Sequence, residues 1–343
     1  MKDFGQISGG SLSLGGNVPN AAGIMRMNDS SVASGQAKLI SELEKRDPLL
    51  REPLTSVTYH RDIPITTGGG WVDAISAMYV NYGVSEGSGE GVAAASGANT
   101  SKIIQADVSD ERWGAHVFDV TMRVGVIDMH RSKITGRNID TIYQEGIRLT
   151  YDKHMDQNTY VGMEKFGTYG LMNSPNVPAR LVAANGSGFT EWSKKDPDEI
   201  LFDINQGIIQ NWNRAENDLS ALPNHILLPY EQYSYIATTK VSLAADKTIL
   251  TFIEENNIAG KYNGNLFIGA TGYCKGYGTG GTDRMVIYTH DKKYLKLEEL
   301  VALHRAMTAT NAEKHSYDSL YLANISQPEM FYEYETIGYY DGI

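Results

Sequence analysis

A chain of 343 residues with 41% hydrophobic and 21% charged side chains exceeds what one compact core usually holds, which points to two structural regions and excludes general disorder. A formal net charge of −11, with Lys and Arg nowhere in a block, leaves out the electrostatic footprint of a dedicated nucleic-acid binder. A single cysteine, Cys274, excludes an intrachain disulfide, and no apolar run is long enough for a secretion signal or a membrane span, so synthesis in a cytoplasm is expected.

Met1 to about Ser34 alternates Gly, Ser, Asn and small apolar residues without a sustained period. Such a segment cannot bury enough surface to fold by itself. It reads as an arm, either a disordered tail or a segment that orders across a neighbour. Ser34 to Lys45 offers a short helix with Leu39, Ile40 and Leu43 on one side, and Pro48, Pro53 and Pro64 punctuate the next stretch. Trp71 to Tyr82, rich in Val, Ile, Met and Tyr, predicts a strand. Gly87, Gly89, Gly91, three alanines from Ala93 to Ala95, and Gly97 then form a low-complexity tip before a second strand beginning near Ser101. The pair reads as one long hairpin. Compact domains seldom leave a loop of this length unstructured, which favours a protruding hairpin that docks elsewhere over a mobile surface loop.

Val117 to Asp128 predicts a further strand, and Asn138 to Val161 a long helix, with Ile139, Ile142, Tyr143, Ile147, Tyr151 and Met155 at three- and four-residue steps as its core stripe. Gly162 and Gly167 end that helix, and a turn-rich segment runs to Gly188. Asp196-Pro197-Asp198-Glu199 is a helix start: Asp can cap, Pro fits the first turn, and Glu three residues on completes a capping box. Ile200, Ile204, Ile208 and Trp212 give that helix its buried stripe. A buried strand, His225 to Leu228, comes next, then a helix capped by Asp246 and carrying Ile249, Leu250 and Ile253. Leu320 to Ile343 is strand-like and aromatic.

Each chemical motif lacks the context its chemistry needs. Gly276, Gly278 and Gly281 have the spacing of a dinucleotide-binding loop, but Met285 to Tyr288 reads as a strand where a helix must begin. Gly89, Gly91 and Ala94 match a looser form, and Gly97 leaves no room for that helix. Gly260-Lys261 runs into Tyr262, so there is no phosphate loop. The eight histidines never fall three to five residues apart, which removes local metal-ligand spacing. Gly83-Val84-Ser85-Glu86-Gly87 matches a hydrolase elbow without its helix, and Cys274 has no nearby His in sequence. Asp198 and Glu199 are accounted for by capping. No catalytic residue, cofactor or metal is expected, although an acid–base pair formed only in three dimensions stays open.

Tyr169 to Ala179 reads Tyr-Gly-Leu-Met-Asn-Ser-Pro-Asn-Val-Pro-Ala, directly after the long helix. Gly170, Leu171, Asn173, Pro175 and Val177 make it resemble the Gly-Leu-Leu-Asn-x-Pro-x-Val turn behind the spine helix of Hong Kong 97-type major capsid proteins, the fold shared by tailed bacteriophages and encapsulins. Met172 stands where Leu is usual, a volume-conserving exchange. The resemblance implies an α+β fold: an N-terminal arm over residues 1–60, an extended β-hairpin loop over 61–114, a peripheral domain over 115–180 and 310–343 with a spine helix over 138–161, and an axial domain over 181–309. It implies a closing strand that returns to the peripheral domain, and a hairpin tip (Gly87, Gly89, Gly91, Gly97) that contacts neighbouring subunits. The function it implies is a non-enzymatic subunit that assembles with itself, as pentamers and hexamers, into an icosahedral shell around double-stranded DNA, without sequence-specific binding. Portal, separate scaffolding and decoration proteins are the implied partners, the host bacterial cytoplasm the place of assembly and the virion the destination. The alternatives are an encapsulin-like cargo shell and an enzyme whose site the sequence does not display.

Overall fold

The computed structural model describes residues 56–84, 104–135, 139–242, 246–262 and 266–343, all within one compact unit, Thr55–Ile343. The arm as far as residue 55, the short helix at Ser34 to Lys45 and the tip glycines Gly87, Gly89, Gly91 and Gly97 lie outside the described residues. In chain order the principal elements are α1 (Tyr59–Asp62), β1 (Ile65–Thr67), β2 (Ala74–Val84), β3 (Ile104–Gly125), α2 (Val126–Thr135), α3 (Ile139–Tyr160) and β4 (Ala179–Leu181). Next come α4 (Pro197–Arg214), β5 (His225–Leu228), α5 (Tyr230–Thr238), α6 (Ile249–Asn256), α7 (Ile258–Tyr262), β6 (Phe267–Ala270) and β7 (Arg284–Tyr288). The chain closes with β8 (Leu295–Asn311), β9 (Ser316–Ser326), β10 (Glu329–Met330), α8 (Glu333–Thr336) and β11 (Ile337–Asp341). Among the described residues no helix is long and apolar enough to cross a membrane.

Two mixed sheets organise these elements. The first runs β1-β8-β9-β3-β2, with β10 also on β8; the second runs β4-β11-β7-β5-β6. Apart from the edge strand β4, exposed at all three positions, the strands of the second sheet are covered on both faces and so are apolar at most positions rather than alternately. In β7, Val286 and Tyr288 enter one core while Met285 and Ile287 enter the other. The same division places Leu227 against Ile226 and Leu228 in β5, and Tyr339 against Tyr340 in β11. One core gathers the C-terminal half of α3, the first sheet and one face of the second. The other packs α4 and α6 on the opposite face, with Ile200, Ile204 and Ile208 fully buried and Trp212 partly so. The α4 start is as the sequence predicts: the Asp196 backbone N–H donates to the Glu199 carboxylate at 3.0 Å.

Four expectations are corrected. Residues 56–67 are neither all arm nor hairpin: Tyr59 and Ile63 are core residues, the Thr58 and Tyr59 N–H groups both donate to Asp156 Oδ1 at 2.9 Å, and β1 pairs with β8, so the hairpin starts only at Ala74. Val117 to Asp128 is no separate strand: β3 runs unbroken for 22 residues to Gly125 and then turns into α2. The cap of α6 is Thr248, whose hydroxyl accepts the Thr251 N–H, rather than Asp246, which is exposed. The closing strand β11 pairs with β4 and β7 in the second sheet, and a break at 309/310 would cut through β8. A strand buried at all five positions needs cover on both faces, which the inside of the second sheet provides.

Candidate functional site

A helix leaves its last four carbonyls without partners, and the segment after α3 supplies them. Gly162, at φ +76, lets the chain reverse, and its N–H reaches the carbonyls of Gln157 and Asn158, each at 3.1 Å. Leu171 then donates to the Thr159 carbonyl and Met172 to that of Tyr160, both at 2.9 Å. The Asn173 amide donates to the Val161 carbonyl at 2.8 Å, while its oxygen accepts the Gly170 N–H at 2.8 Å. This back-folding requires contact without a side chain, since a Cβ on Gly170 would lie 2.3 Å from the Tyr160 carbonyl carbon. Leu171, Met172 and Val177 are buried, and Pro175 is exposed at the crest.

The same turn locks onto the second sheet. Tyr339 donates its hydroxyl proton to the Leu171 carbonyl at 2.9 Å and accepts the Ser174 N–H at 3.0 Å. Arg284 donates to the Met172 carbonyl at 2.7 Å, grips Asp341 through Nε and Nη2 at 2.8 and 3.1 Å, and lies over the Tyr339 ring. Burial opposes ionisation of Asp341, yet hydrogen bonds from Arg284 and Thr279 outweigh it and hold its carboxyl below the usual range. The turn thus binds the long helix to the second sheet through Leu171, Met172 and Ser174, with Gly170 and Asn173 closing the helix end.

The hairpin is built on a full antiparallel register from Ala74↔Gly114 to Val84↔Ile104. Because side chains alternate, each cross-strand pair shares a face. The inner face carries Trp113, buried edge-on against Phe331 with centroids at 4.8 Å, and Tyr79, edge-on to Tyr332 at 5.2 Å with its hydroxyl on Glu111 at 2.7 Å. The outer face carries Met78, Val80, Tyr82 and Val108; Met78 is 79% exposed and Tyr82 76%. Towards the body of the subunit the same face carries the exposed Asp110–Arg112 ion pair, and beyond it Met78, Val80, Tyr82 and Val108 form an apolar ribbon in water.

The long helix is placed as expected, but its stripe divides. Ile147, Tyr151 and Met155 are buried and Ile139 partly so, whereas Ile142 is 37% exposed and Tyr143 45%. Successive four-residue steps rotate the stripe, and nine residues at about 100° each set Ile142 roughly opposite Tyr151. Their placement in the subunit core is therefore corrected.

The fold brings together two histidine pairs that spacing does not reveal. His116 and His154 meet through their Nε2 atoms at 3.0 Å, and His225 stacks on His290 at 4.1 Å between centroids. Burial lowers all four basicities, taking His116 to about 4 and, with His290 beside it, His225 to about 3. Among the described residues no three His, Cys, Asp or Glu converge as a metal group. A solvent-open cleft of 540 Å³ includes Glu231, Gln232 and Asp283 in its lining. Its carboxylates already hold structure: Lys275 pairs with Glu231, and Asp283 accepts the Gln232 amide at 2.9 Å and the Gly276 N–H at 3.1 Å. Cys274 is fully buried, with burial pushing its thiol well up.

The fold is that of known capsid subunits. The chain superimposes on the capsid of Myoviridae phage XM1 with a TM-score of 0.71 at 14% identity, covering 88% of this chain and 98% of that one. For Microbacterium phage Oxtober96 the values are 0.56 and 12%, covering 89% and 98%. For the capsid of a native GTA particle they are 0.58 and 9%, covering 87% and 94%. No curated protein sequence matches the chain. The family model described as major capsid protein matches residues 91–343, which favours a virion shell over an encapsulin. With the Hong Kong 97-type fold, and over nearly three quarters of its length, the chain belongs to the major capsid protein family and is a structural, non-enzymatic shell subunit.

Proposed function

We propose that this subunit builds the icosahedral head of a tailed bacteriophage, and that the outer face of its β2–β3 hairpin lies on a neighbouring copy. The observation that carries this reading is the exposed ribbon of Met78, Val80, Tyr82 and Val108. A two-stranded hairpin is marginal in water, and a contiguous apolar face on one marks a surface that another molecule covers. In this reading the second sheet with α4 to α7 faces the five- and six-fold axes, as the axial region. The first sheet with α3 forms the periphery, and the segment from Gly87 to Gly97 completes the inter-subunit contact. The shell encloses double-stranded DNA without gripping it, in keeping with the net charge of −11. Portal, scaffolding and decoration proteins complete the head, which assembles in the host cytoplasm.

The test is a double substitution on the outer face, Met78→Asp with Tyr82→Asp. Both side chains are exposed in the subunit, so calorimetry should find its unfolding midpoint nearly unchanged, while electron microscopy finds few or no closed shells. Normal shells from the double variant would remove the hairpin face from the contact.

A further inference from the structure

We propose that His116 and His154 form a two-imidazole clamp for a divalent transition metal ion of the nickel, copper and zinc class, at the root of the hairpin. The strand β3 changes partner between Gly114, which pairs with β2, and Ala115, which pairs with β9. His116 is the second residue after that change, where the hairpin leaves the body of the subunit, and its partner His154 belongs to α3.

The two Nε2 atoms face each other at 3.0 Å with the rings inclined at 70°. At a metal–nitrogen distance of about 2.05 Å that separation subtends about 94° at the ion. This is the angle of a cis pair in a square-planar or octahedral site, reached when each ring tilts out of the hydrogen bond so that its lone pair points to the ion, about 43° off the N–N line; opening the pair by a few tenths of an ångström reaches the tetrahedral angle. In the metal-free pair one Nε2 carries the proton and donates to the other. Binding an ion needs both lone pairs, which a shift of that proton to Nδ1 of the same ring provides.

The surroundings suit such a ligand. Phe166 stacks on His116 with centroids at 5.3 Å, and Phe118 packs on His154 at 5.1 Å. Two elements and two aromatic contacts thus orient the rings before any ion arrives, which removes much of the ordering cost of binding. An imidazole-only protein donor set selects nickel, copper and zinc over calcium and magnesium, which require oxygen. His116 is buried and His154 half-exposed, so water can fill the remaining positions from the side of His154. A bound ion would tie the hairpin root to the long helix.

The experiment uses the full chain without an affinity tag, titrated with Ni²⁺ alone by calorimetry and with Cu²⁺ alone by electron paramagnetic resonance. One saturable site with a dissociation constant on the order of micromolar is expected, with a copper spectrum split by two imidazole nitrogens. Either His116→Gln or His154→Gln should weaken binding by at least about tenfold. Absence of saturable binding, binding unchanged in both variants, or a copper spectrum without paired nitrogens would overturn the proposal. If a variant fails to fold, the nitrogen count on the unaltered chain decides.

Discussion

Gly146 and Gly170 ask opposite things of their surroundings. Gly146 sits inside α3 with open space where a Cβ would go, whereas a Cβ on Gly170 would collide with the backbone of Tyr160 and Val161 at 2.3 to 2.5 Å. Gly146→Ala should therefore stabilise the subunit by about 0.5–1 kcal/mol, since Ala loses less freedom in a helix. Gly170→Ala should destabilise it by at least about 1–3 kcal/mol, because backbone rather than a flexible side chain must move. Differential scanning calorimetry on the two variants checks the opposite signs. The stacked pair His225 and His290 gives a pH dependence. The folded state holds both below their unfolded values, His225 at about 3, so below an unfolded value near 6.5 the unfolded chain takes up more protons. Their contribution is fully present above about pH 6.5 and is lost as pH falls towards the folded values. The unfolding midpoint should drop between pH 7.5 and 5.5, and His225→Gln should make that drop shallower. A slope unchanged in the variant would show that this pair does not control it.

At the scale of elements, the long helix separates folding from assembly. Ile147 is buried against Met122, Val124 and Tyr321, so Ile147→Ala should cost about 2–5 kcal/mol in the isolated subunit. Ile142 lies on the other side of the helix and loses little burial, so Ile142→Ala should stay within about 1 kcal/mol. Denaturant melts of the two variants, side by side, check the difference. The helix was legible in the sequence because a 3.6-residue period, two closing glycines and a Gly-Leu-Met-Asn turn coincide at its end. The strand His225–Leu228 and the Asp196-Pro197 start of α4 were legible for similar reasons: an apolar run between turn residues, and a cap whose partner is three residues away. What failed depends on partners distant in the chain. Period alone cannot tell which residues of a stripe the sheet will cover, hence Ile142 and Tyr143. Nor can it show that β3 changes partner from β2 to β9 without stopping, or that β11, apolar on both faces, belongs between β4 and β7. The two histidine pairs were invisible for the same reason, since each joins residues from separate elements.

Across the whole molecule, the second sheet serves as a shared wall. One face packs with the first sheet and α3, the other with α4 and α6, and the turn from Gly170 to Val177 closes the joint through Arg284, Tyr339 and Asp341. A single contact of about −4 kcal/mol holds two molecules at only millimolar affinity, but a closed symmetric assembly engages many such contacts together and becomes effectively irreversible. The apolar outer ribbon of the hairpin is one surface that this arrangement leaves uncovered in the single subunit. Electron cryomicroscopy of the purified chain, with its scaffolding partner co-expressed where assembly requires it, tests the account most directly. Closed icosahedral particles are expected, with Met78, Val80, Tyr82 and Val108 buried on a neighbouring copy. A stable monomer under every salt condition and with scaffold present, or shells in which that ribbon faces solvent, would contradict it.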